Sequence, residues 1–316
     1  MSLPIVKVCL IGIDSTLGPA LLQALVFANC FDVSVLFIRS SSSSRYTATP
    51  TGVSPITVSP DLTAQELKAA LTGQDAVIAA SPIRDVDHHI RLVDAAFEAG
   101  VRRFVPAEFA SCDARNQQAQ INLQLYRDMA LVRTQCEYRA AVSEVGGLSF
   151  SWTSIICGHF FDHGLLHGLL HFDLNTKTAQ ILDTGAIKAS MSTLRRAAEA
   201  TVRVLQNPDE TRNRPVYVQS FCLTQLEILA SLERATGHVW RTQQVDSNAY
   251  LERAQRRLEG GDRAAAEDIV FVLGTVDADW TLKKEFAMEL LGLEDERLDE
   301  VVAEVLATHN VTTVSS

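Results

Sequence analysis

The chain has 316 residues, of which 47% are hydrophobic and 21% charged, and its formal net charge is −10. These proportions suit one large or two modest globular domains and exclude wholesale disorder. A surface this acidic repels phosphate backbones, so we do not expect the chain to bind nucleic acid.

The cysteines form no metal-binding or disulfide pattern. No CxxC pair occurs among them, which predicts no metal site and favours free thiols in a reducing compartment. The N-terminal apolar run IVKVCLIGI contains a lysine and stops at Asp14. It is too short for a membrane span and lacks the features of a signal peptide, so we predict a cytoplasmic protein.

Strands and helices alternate along the first half of the chain. Short β-branched runs predict strands, and apolar residues repeated every three or four positions predict helices. The predicted order is strand 6–13, helix 19–29, strand 32–38, strand 54–58, helix 64–71, strand 76–80, helix 90–99 and strand 103–106. This alternation indicates an α/β fold with a doubly wound parallel sheet of the Rossmann type.

The second half of the chain is less regular. The predicted elements there are a long helix at 118–143, a strand at 148–156, loop and helix at 158–172, helices at 193–205 and 226–236, an extended segment at 215–219 and a terminal helix at 298–306. We expect residues 1–157 to form the nucleotide-binding domain. Residues 158–316 are expected to form mainly a smaller α/β substrate domain, with some segments returning to the first sheet.

The turn after the first predicted strand reads GIDSTLG, from Gly12 to Gly18. Small residues in such a turn let the backbone approach a pyrophosphate, and the following helix N-terminus attracts the anion. Ser15 replaces the middle glycine of the usual pattern but keeps its N–H group and adds a hydroxyl. An ordinary strand–helix turn is the alternative. The predicted dinucleotide contacts are Gly12, Asp14, Ser15, Thr16, Leu17, Gly18 and, after strand 76–80, Ser81.

Arg39 ends the second predicted strand, where the adenosine ribose lies in this fold. An acidic residue at this place favours NAD, whereas an arginine can pair with the 2′-phosphate of NADP. Ser40 and Arg45 follow and offer further donors. A solvated loop arginine is the alternative, but the position favours NADP(H) as the cofactor.

Four segments carry a resemblance to a known family: LTGQDAVIAA at 71–80, LVDAAFEAGVRRFVPAEF at 92–109, LSFSWTSIICGHFFDHGL at 148–165 and LGLEDERLDEVVAEVL at 291–306. With them, nearly the whole chain resembles the NmrA-like and isoflavone-reductase-like group of atypical short-chain dehydrogenases, especially its fungal members. The resemblance implies an NADP-binding Rossmann domain with a smaller substrate domain. It implies small aromatic or polyketide-like substrates, and it also admits relatives that only sense the nicotinamide redox state.

The chain departs from this group at one position. Its reductases carry a lysine three residues before a Val-Arg pair, and the corresponding pair here is Val132-Arg133, which places Met129 at the lysine position. No lysine occurs between Lys68 and Lys177. Since methionine cannot carry a proton, the usual general acid or base of the group is missing. Reduction of a carbonyl needs a proton donor as well as the hydride from the cofactor, so another residue would have to supply the proton.

Two residues are candidates to replace the lysine in proton transfer. Glu108 follows a strand at the edge where open α/β sheets hold their active sites, and a partly desolvated carboxyl group there can have a raised pKa. A structural ion pair is the alternative. Tyr126 lies one helical turn before Met129 on nearly the same face, with a core tyrosine as the alternative.

Histidines recur at every fourth position, at His159, His163, His167 and His171. No H-E-x-x-H motif or cysteine cluster accompanies them, and neighbouring glycines interrupt a helix, so we predict no metal site. His159 and His163 follow the strand expected to end near the nicotinamide, and imidazole suits acid–base chemistry. Histidines on a helix surface are the alternative.

Three functions remain open from the sequence. The first is an NADPH-dependent reductase of a small aromatic, polyketide-like or alkaloid-like secondary metabolite. The second is a cyclase, isomerase or condensing enzyme that retains the cofactor, and Met129 motivates it. The third is a redox-sensing regulator. In each case we expect a monomer or homodimer that binds a small molecule and no membrane.

Overall fold

A computed structural model describes residues 3–39 and 52–314 of the chain. The strands are β1 (Lys7–Ile11), β2 (Asp32–Ile38), β3 (Val53–Val58), β4 (Ala76–Ala79), β5 (Arg103–Val105), β6 (Ser151–Ile156), β7 (His159–Phe160), β8 (Phe172–Asp173), β9 (Thr178–Leu182), β10 (Lys188–Ser192), β11 (Arg214–Tyr217), β12 (Phe221–Thr224) and β13 (Arg241–Val245). The helices are α1 (Gly18–Phe27), α2 (Ala64–Leu71), α3 (Val86–Glu98), α4 (Gln117–Asn122), α5 (Gln124–Val145), α6 (Phe161–Leu166), α7 (Leu194–Gln206), α8 (Gln225–Thr236), α9 (Ser247–Glu259), α10 (Ala265–Val276) and α11 (Leu298–Val314).

The main sheet is parallel and has seven strands in the order β11-β6-β5-β4-β1-β2-β3. Its central strands are apolar and buried, as in β4, where every residue is buried, because helices cover both faces. The strand order reverses between β1 and β4, and such a switch point opens a crevice at the carboxyl ends of the strands. The predicted doubly wound α/β fold is confirmed.

The later part of the chain adds two small sheets and one strand of the main sheet. β11 pairs with β6, while β12-β10-β7 and β13-β9-β8 form separate three-stranded sheets. Residues 237–297, in which no element was predicted from the sequence, contain β13, α9 and α10. Among the described residues, no helix combines the length and apolar character that crossing a membrane requires.

The long helix predicted at 118–143 is wrong as a single element. Leu123 has extended backbone angles, φ −135° and ψ 133°, and separates α4 from α5. Its side chain is 4% exposed and packs in an apolar cluster with Ala119 and Tyr126. The break between α4 and α5 therefore coincides with burial of Leu123 in this cluster. Helical periodicity in the sequence could not predict the break, because the cluster forms only in the folded chain.

The helix predicted at 90–99 begins earlier, at Val86. The Asp85 side chain accepts hydrogen bonds from the backbone N–H groups of Asp87 and His88, and so caps the helix. His88 therefore lies in the first turn of α3.

Candidate active site

The turn between β1 and α1 is closed by two glycines that have no room for a side chain. Gly12 has φ +90°, and a Cβ on it would overlap the backbone N of Ser81. A Cβ on Gly18 would overlap the carbonyl oxygen of Gly12. The Ser15 N–H donates to the Gly12 carbonyl at 3.0 Å, and the Ser15 Oγ accepts from the Gly18 N–H at 3.0 Å. The backbones of β1 and β4 thus meet at the base of a tight turn.

A cleft of about 610 Å³, here the turn cleft, lies at the carboxyl ends of β1, β2 and β4. Its lining includes residues 12–16 of the turn, residues 36–38 of β2, and Ser81. Of the contacts predicted in the turn, Leu17 and Gly18 do not line the cleft. Leu17 is 3% exposed, and its side chain packs in the apolar core and not in the cleft.

In the described part of the chain, arginines of two segments bring positive charge near the turn cleft. Arg39 is exposed at the end of β2, directly after the cleft residue Ile38, and its N–H donates to the Val58 carbonyl at 2.8 Å. Ser40 and Arg45 lie outside the described residues. Arg84 is exposed and lines the cleft from the loop before α3. Arg84 was not predicted from the sequence, because no motif marks this loop.

A second cavity of about 200 Å³, here the histidine cavity, lies at the carboxyl ends of β5 and β6. Four residues singled out in the sequence line it: Tyr126, Met129, His159 and His163. Because β4 and β5 are neighbours in the main sheet, the histidine cavity and the turn cleft occupy adjacent parts of the same sheet edge.

Several further cavity residues were not predicted. Among them are Ser111, which lies in the loop after β5, and Glu267 and Phe271, which lie on α10. More than ninety residues separate α10 from the other cavity walls, and no sequence motif marks it. Only the tertiary fold brings this helix to the site.

Two hydroxyl groups form the polar end of the cavity. The Tyr126 hydroxyl and the Ser111 Oγ lie 2.9 Å apart and share a hydrogen bond. Burial raises the pKa of Tyr126 well above its ordinary value, so the phenol stays protonated. The pair is therefore a source of a hydrogen-bond donor in an otherwise largely apolar cavity.

The two cavity histidines differ in environment. His159 is buried, with Nε2 at 3.4 Å from the Phe271 carbonyl oxygen, and burial lowers its pKa to about 4. His163 is half-buried, and its ring stacks on that of His167 with centroids 4.2 Å apart. Burial also lowers the pKa of His163. Both rings are therefore neutral near neutral pH.

The four regularly spaced histidines do not share a helix. His159 lies in β7 and His163 in α6, whereas His171 adopts φ +58° in a turn and contacts Gln180 and Asp268. Within the described ranges, no group of three or more histidine, cysteine or acidic side chains is placed to hold a metal ion. The four-residue spacing is therefore not a helical stripe.

Glu108 lies outside the cavity lining, in a buried ion pair. The Arg133 Nε donates to Glu108 Oε2 at 2.9 Å, and Arg133 Nη2 contacts Glu108 Oε1 and, at 2.8 Å, Asp113. Both Glu108 and Arg133 are at most 3% exposed. Burial raises the pKa of Glu108, and the charge of Arg133 opposes that rise. This geometry favours the structural alternative for Glu108.

Loss of this carboxylate is expected to cost stability. Replacing Glu108 by Gln should lower the free energy of unfolding by about 3 kcal/mol, because it leaves the buried Arg133 with only one anionic partner. Glu137→Gln is the matched control, since Glu137 pairs with Arg115 on the surface and its loss should cost under about 1 kcal/mol. Urea unfolding measures both. Equal losses would contradict the role assigned to Glu108.

Stability should also depend on pH through His159. Between about pH 4 and pH 6.5 the unfolded chain binds a proton that the native imidazole excludes, so the free energy of unfolding rises with pH in this window. His159→Gln should reduce this slope, as measured by urea unfolding across the window. His238 is exposed, and His238→Gln should keep the wild-type slope. An unchanged slope in His159→Gln would show that His159 is not held neutral.

Known proteins resemble the chain over most of its length. A model of the NmrA-like family matches residues 7–295. The oxidoreductase aprR of Aspergillus flavus is 29% identical over 305 residues, covering 95% of this chain and 99% of aprR. The oxidoreductase poxI of Penicillium oxalicum is 29% identical over 282 residues, covering 87% of this chain and 86% of poxI.

Among solved structures, a binary complex of leucoanthocyanidin reductase with NADPH from Vitis vinifera has a TM-score of 0.76 at 18% identity, covering 95% of this chain and 99% of that one. At this identity the likeness concerns the fold. The family match spans the main sheet, the turn cleft, the histidine cavity and the helices around them. It confirms the resemblance noted in the sequence. The chain belongs to the NmrA-like family.

Proposed function

We propose that this chain is an NADP(H)-dependent oxidoreductase that reduces a small, largely apolar secondary metabolite. The observation that carries the proposal is the adjacency of the turn cleft and the histidine cavity along one edge of the main sheet. The oxidoreductase names of aprR and poxI and the NADPH in the leucoanthocyanidin reductase complex support it.

The turn cleft suits a dinucleotide. Its volume of about 610 Å³ lies within the range of small-molecule sites, and Gly12, which has no side chain, lines it. The turn from Gly12 to Thr16, which lines the cleft just before the N-terminus of α1, would hold the pyrophosphate. Arg39, with Ser40 and Arg45, would bind the 2′-phosphate. The bound dinucleotide supplies the hydride.

The histidine cavity suits a small substrate. At about 200 Å³ it is smaller than typical sites for drug-sized ligands, and apolar side chains form most of its wall. Met129 lines it at the position that the family resemblance gives to lysine. We assign this wall to substrate binding, with Met129 contributing apolar contact and no charge.

Tyr126 is the proton donor in this proposal. As hydride adds to a carbonyl carbon, the electron pair of the C=O bond moves to the substrate oxygen. The Tyr126 hydroxyl then gives its proton to that oxygen, and the phenolate recovers one from solvent through Ser111. The raised pKa of Tyr126 is no obstacle, because an alkoxide is a stronger base than a phenolate.

Glu108 and the histidines take other roles. Glu108 holds the loop after β5 through Arg133 and moves no proton. His163, half-buried at the cavity wall, is the second candidate for proton transfer. His159 is neutral and buried, which suits hydrogen bonding better than acid catalysis.

A cyclase, isomerase or condensing enzyme that keeps the dinucleotide is the second candidate function. Met129 at the cavity wall favours it, because a reaction without net reduction does not need the lysine of the group. A purely regulatory role fits less well with a lined cavity that contains a hydroxyl pair.

Tyr126→Phe should lower kcat by about a hundredfold or more while the Kd for NADPH stays unchanged, because only the proton donor is lost. The assay follows deuterium transfer from C4-deuterated NADPH to a panel of small aromatic ketones, imines and activated alkenes. Tyr138→Phe is the matched control, since Tyr138 lies on the same helix but is 57% exposed.

Product that forms without deuterium and without NADPH consumption would overturn the reductase proposal and favour the second candidate. Full activity in Tyr126→Phe would remove Tyr126 from the mechanism and leave His163 to be tested as His163→Gln.

A further inference from the structure

The His159 ring is oriented by the backbone of α10. Its Nε2 lies 3.4 Å from the Phe271 carbonyl oxygen. A carbonyl oxygen only accepts hydrogen bonds, so Nε2 is the protonated nitrogen of the neutral ring. Nδ1 then carries a lone pair and can only accept.

Gly274 provides the space that the ring occupies. A Cβ at this position would overlap Nε2 and Cε1 of His159 and also the Cβ of Ser111. Glycine inside a helix is less stable than alanine by roughly 0.5–1 kcal/mol, so its presence within α10 calls for a local reason. The close approach of His159 and Ser111 to the α10 backbone supplies that reason.

The remaining nitrogen of His159 faces no protein partner. Within residues 3–39 and 52–314, Nδ1 makes no hydrogen bond, and the side chain lines the histidine cavity. The Tyr126–Ser111 pair lines the same cavity and supplies a donor. Besides His163 and Glu267, the cavity therefore offers a donor at the Tyr126–Ser111 pair and an acceptor at Nδ1 of His159, on largely apolar walls.

A ligand that satisfies both groups must carry an acceptor and a donor of its own. The reducible carbonyl oxygen would accept from Tyr126, which leaves His159 to accept from a second group. A site built to hydrogen-bond a hydroxyl group discriminates strongly against an analogue without it, because its buried polar atom is then left unpaired.

We propose that His159 is a specificity residue that accepts a hydrogen bond from a hydroxyl group of the substrate, and that Gly274 positions it. The substrate is accordingly a small hydroxy-carbonyl compound. This inference rests on the proposed function, because it takes the carbonyl to lie at Tyr126.

Binding of matched probes tests the recognition. The probes are the three positional isomers of hydroxyacetophenone and the corresponding methylacetophenones, in which a methyl group of similar size replaces the hydroxyl. Dissociation constants are measured by calorimetry on the full chain with NADP+ present, so that no turnover occurs. At least one hydroxyl isomer should bind about tenfold or more tightly than its methyl counterpart, as expected for one hydrogen bond at a buried site.

The His159 variants separate recognition from folding. His159→Leu should abolish the hydroxyl preference, and His159→Gln should retain part of it, because the glutamine carbonyl can still accept. Equal binding of every pair, no binding of any probe, or an unchanged preference in His159→Leu would each overturn the proposal. Because binding and not hydride transfer is measured, failure of the proposed redox reaction remains distinguishable.

Gly274→Ala tests the positioning role. Alanine normally stabilises a helix relative to glycine, but here it should lower Tm and weaken the hydroxyl preference. Adding His159→Ala removes the ring that the new methyl group meets, so the double variant should be no less stable than Gly274→Ala alone. Additive losses, or a Gly274→Ala protein with raised Tm and unchanged preference, would contradict this role.

Discussion

The buried bridge from Glu108 through Arg133 to Asp113 ties the candidate active site together. Arg133 projects from α5, and both carboxylates belong to the segment that follows β5. The Tyr217 hydroxyl donates to Asp113, which extends the bridge to β11. Buried charges are costly unless each is paired, so these partners restrict one another to a single arrangement.

That restriction determines the wall of the histidine cavity. The segment held by the bridge carries Ser111, and the helix that supplies Arg133 also carries Tyr126 and Met129. The hydroxyl pair therefore joins two elements whose relative position the bridge fixes. From the opposite side, α10 approaches closely enough for Gly274 to touch both His159 and Ser111.

The proposed chemistry follows from what the cavity contains. An ammonium group at position 129 would place a charge beside the substrate, whereas Met129 leaves the wall apolar. Hydrogen bonds are stronger in such a low-dielectric space, so a phenol and a neutral imidazole can orient and protonate a substrate without a lysine at position 129. A cyclase, isomerase or condensing enzyme would use the same cavity groups and would differ from the reductase only in that the hydride stays on the dinucleotide.

The sequence predicted the first half of the fold well because its signals are local. Apolar runs define β1 and β4, and the spacing of Gly12 and Gly18 marks the turn that their backbones close. The site itself depends on contacts distant in sequence. The sequence around Glu108 cannot tell a carboxylate that faces a cavity from one that pairs with an arginine. Only the fold brings Arg133 to Glu108.

The break at Leu123, the placement of the histidines and the role of Gly274 could not be predicted from local sequence patterns, because each depends on the folded chain. The break at Leu123 coincides with burial of that side chain in a cluster that includes residues of α10. The glycines beside the evenly spaced histidines already argued against one continuous helix, but they could not show that the chain passes through β7, α6 and a turn within those thirteen residues. Gly274 carries no motif, and its role depends on a side chain more than a hundred positions away.

In the proposed function, the turn cleft holds a phosphorylated dinucleotide beside the histidine cavity. Calorimetric titration of the full chain with NADPH and with NADH measures this binding. We expect saturable binding of NADPH with a Kd at least about tenfold lower than that of NADH, since charge-assisted bonds to the 2′-phosphate are worth at least that factor. A folded protein that binds neither nucleotide, or that binds both equally well, would contradict it.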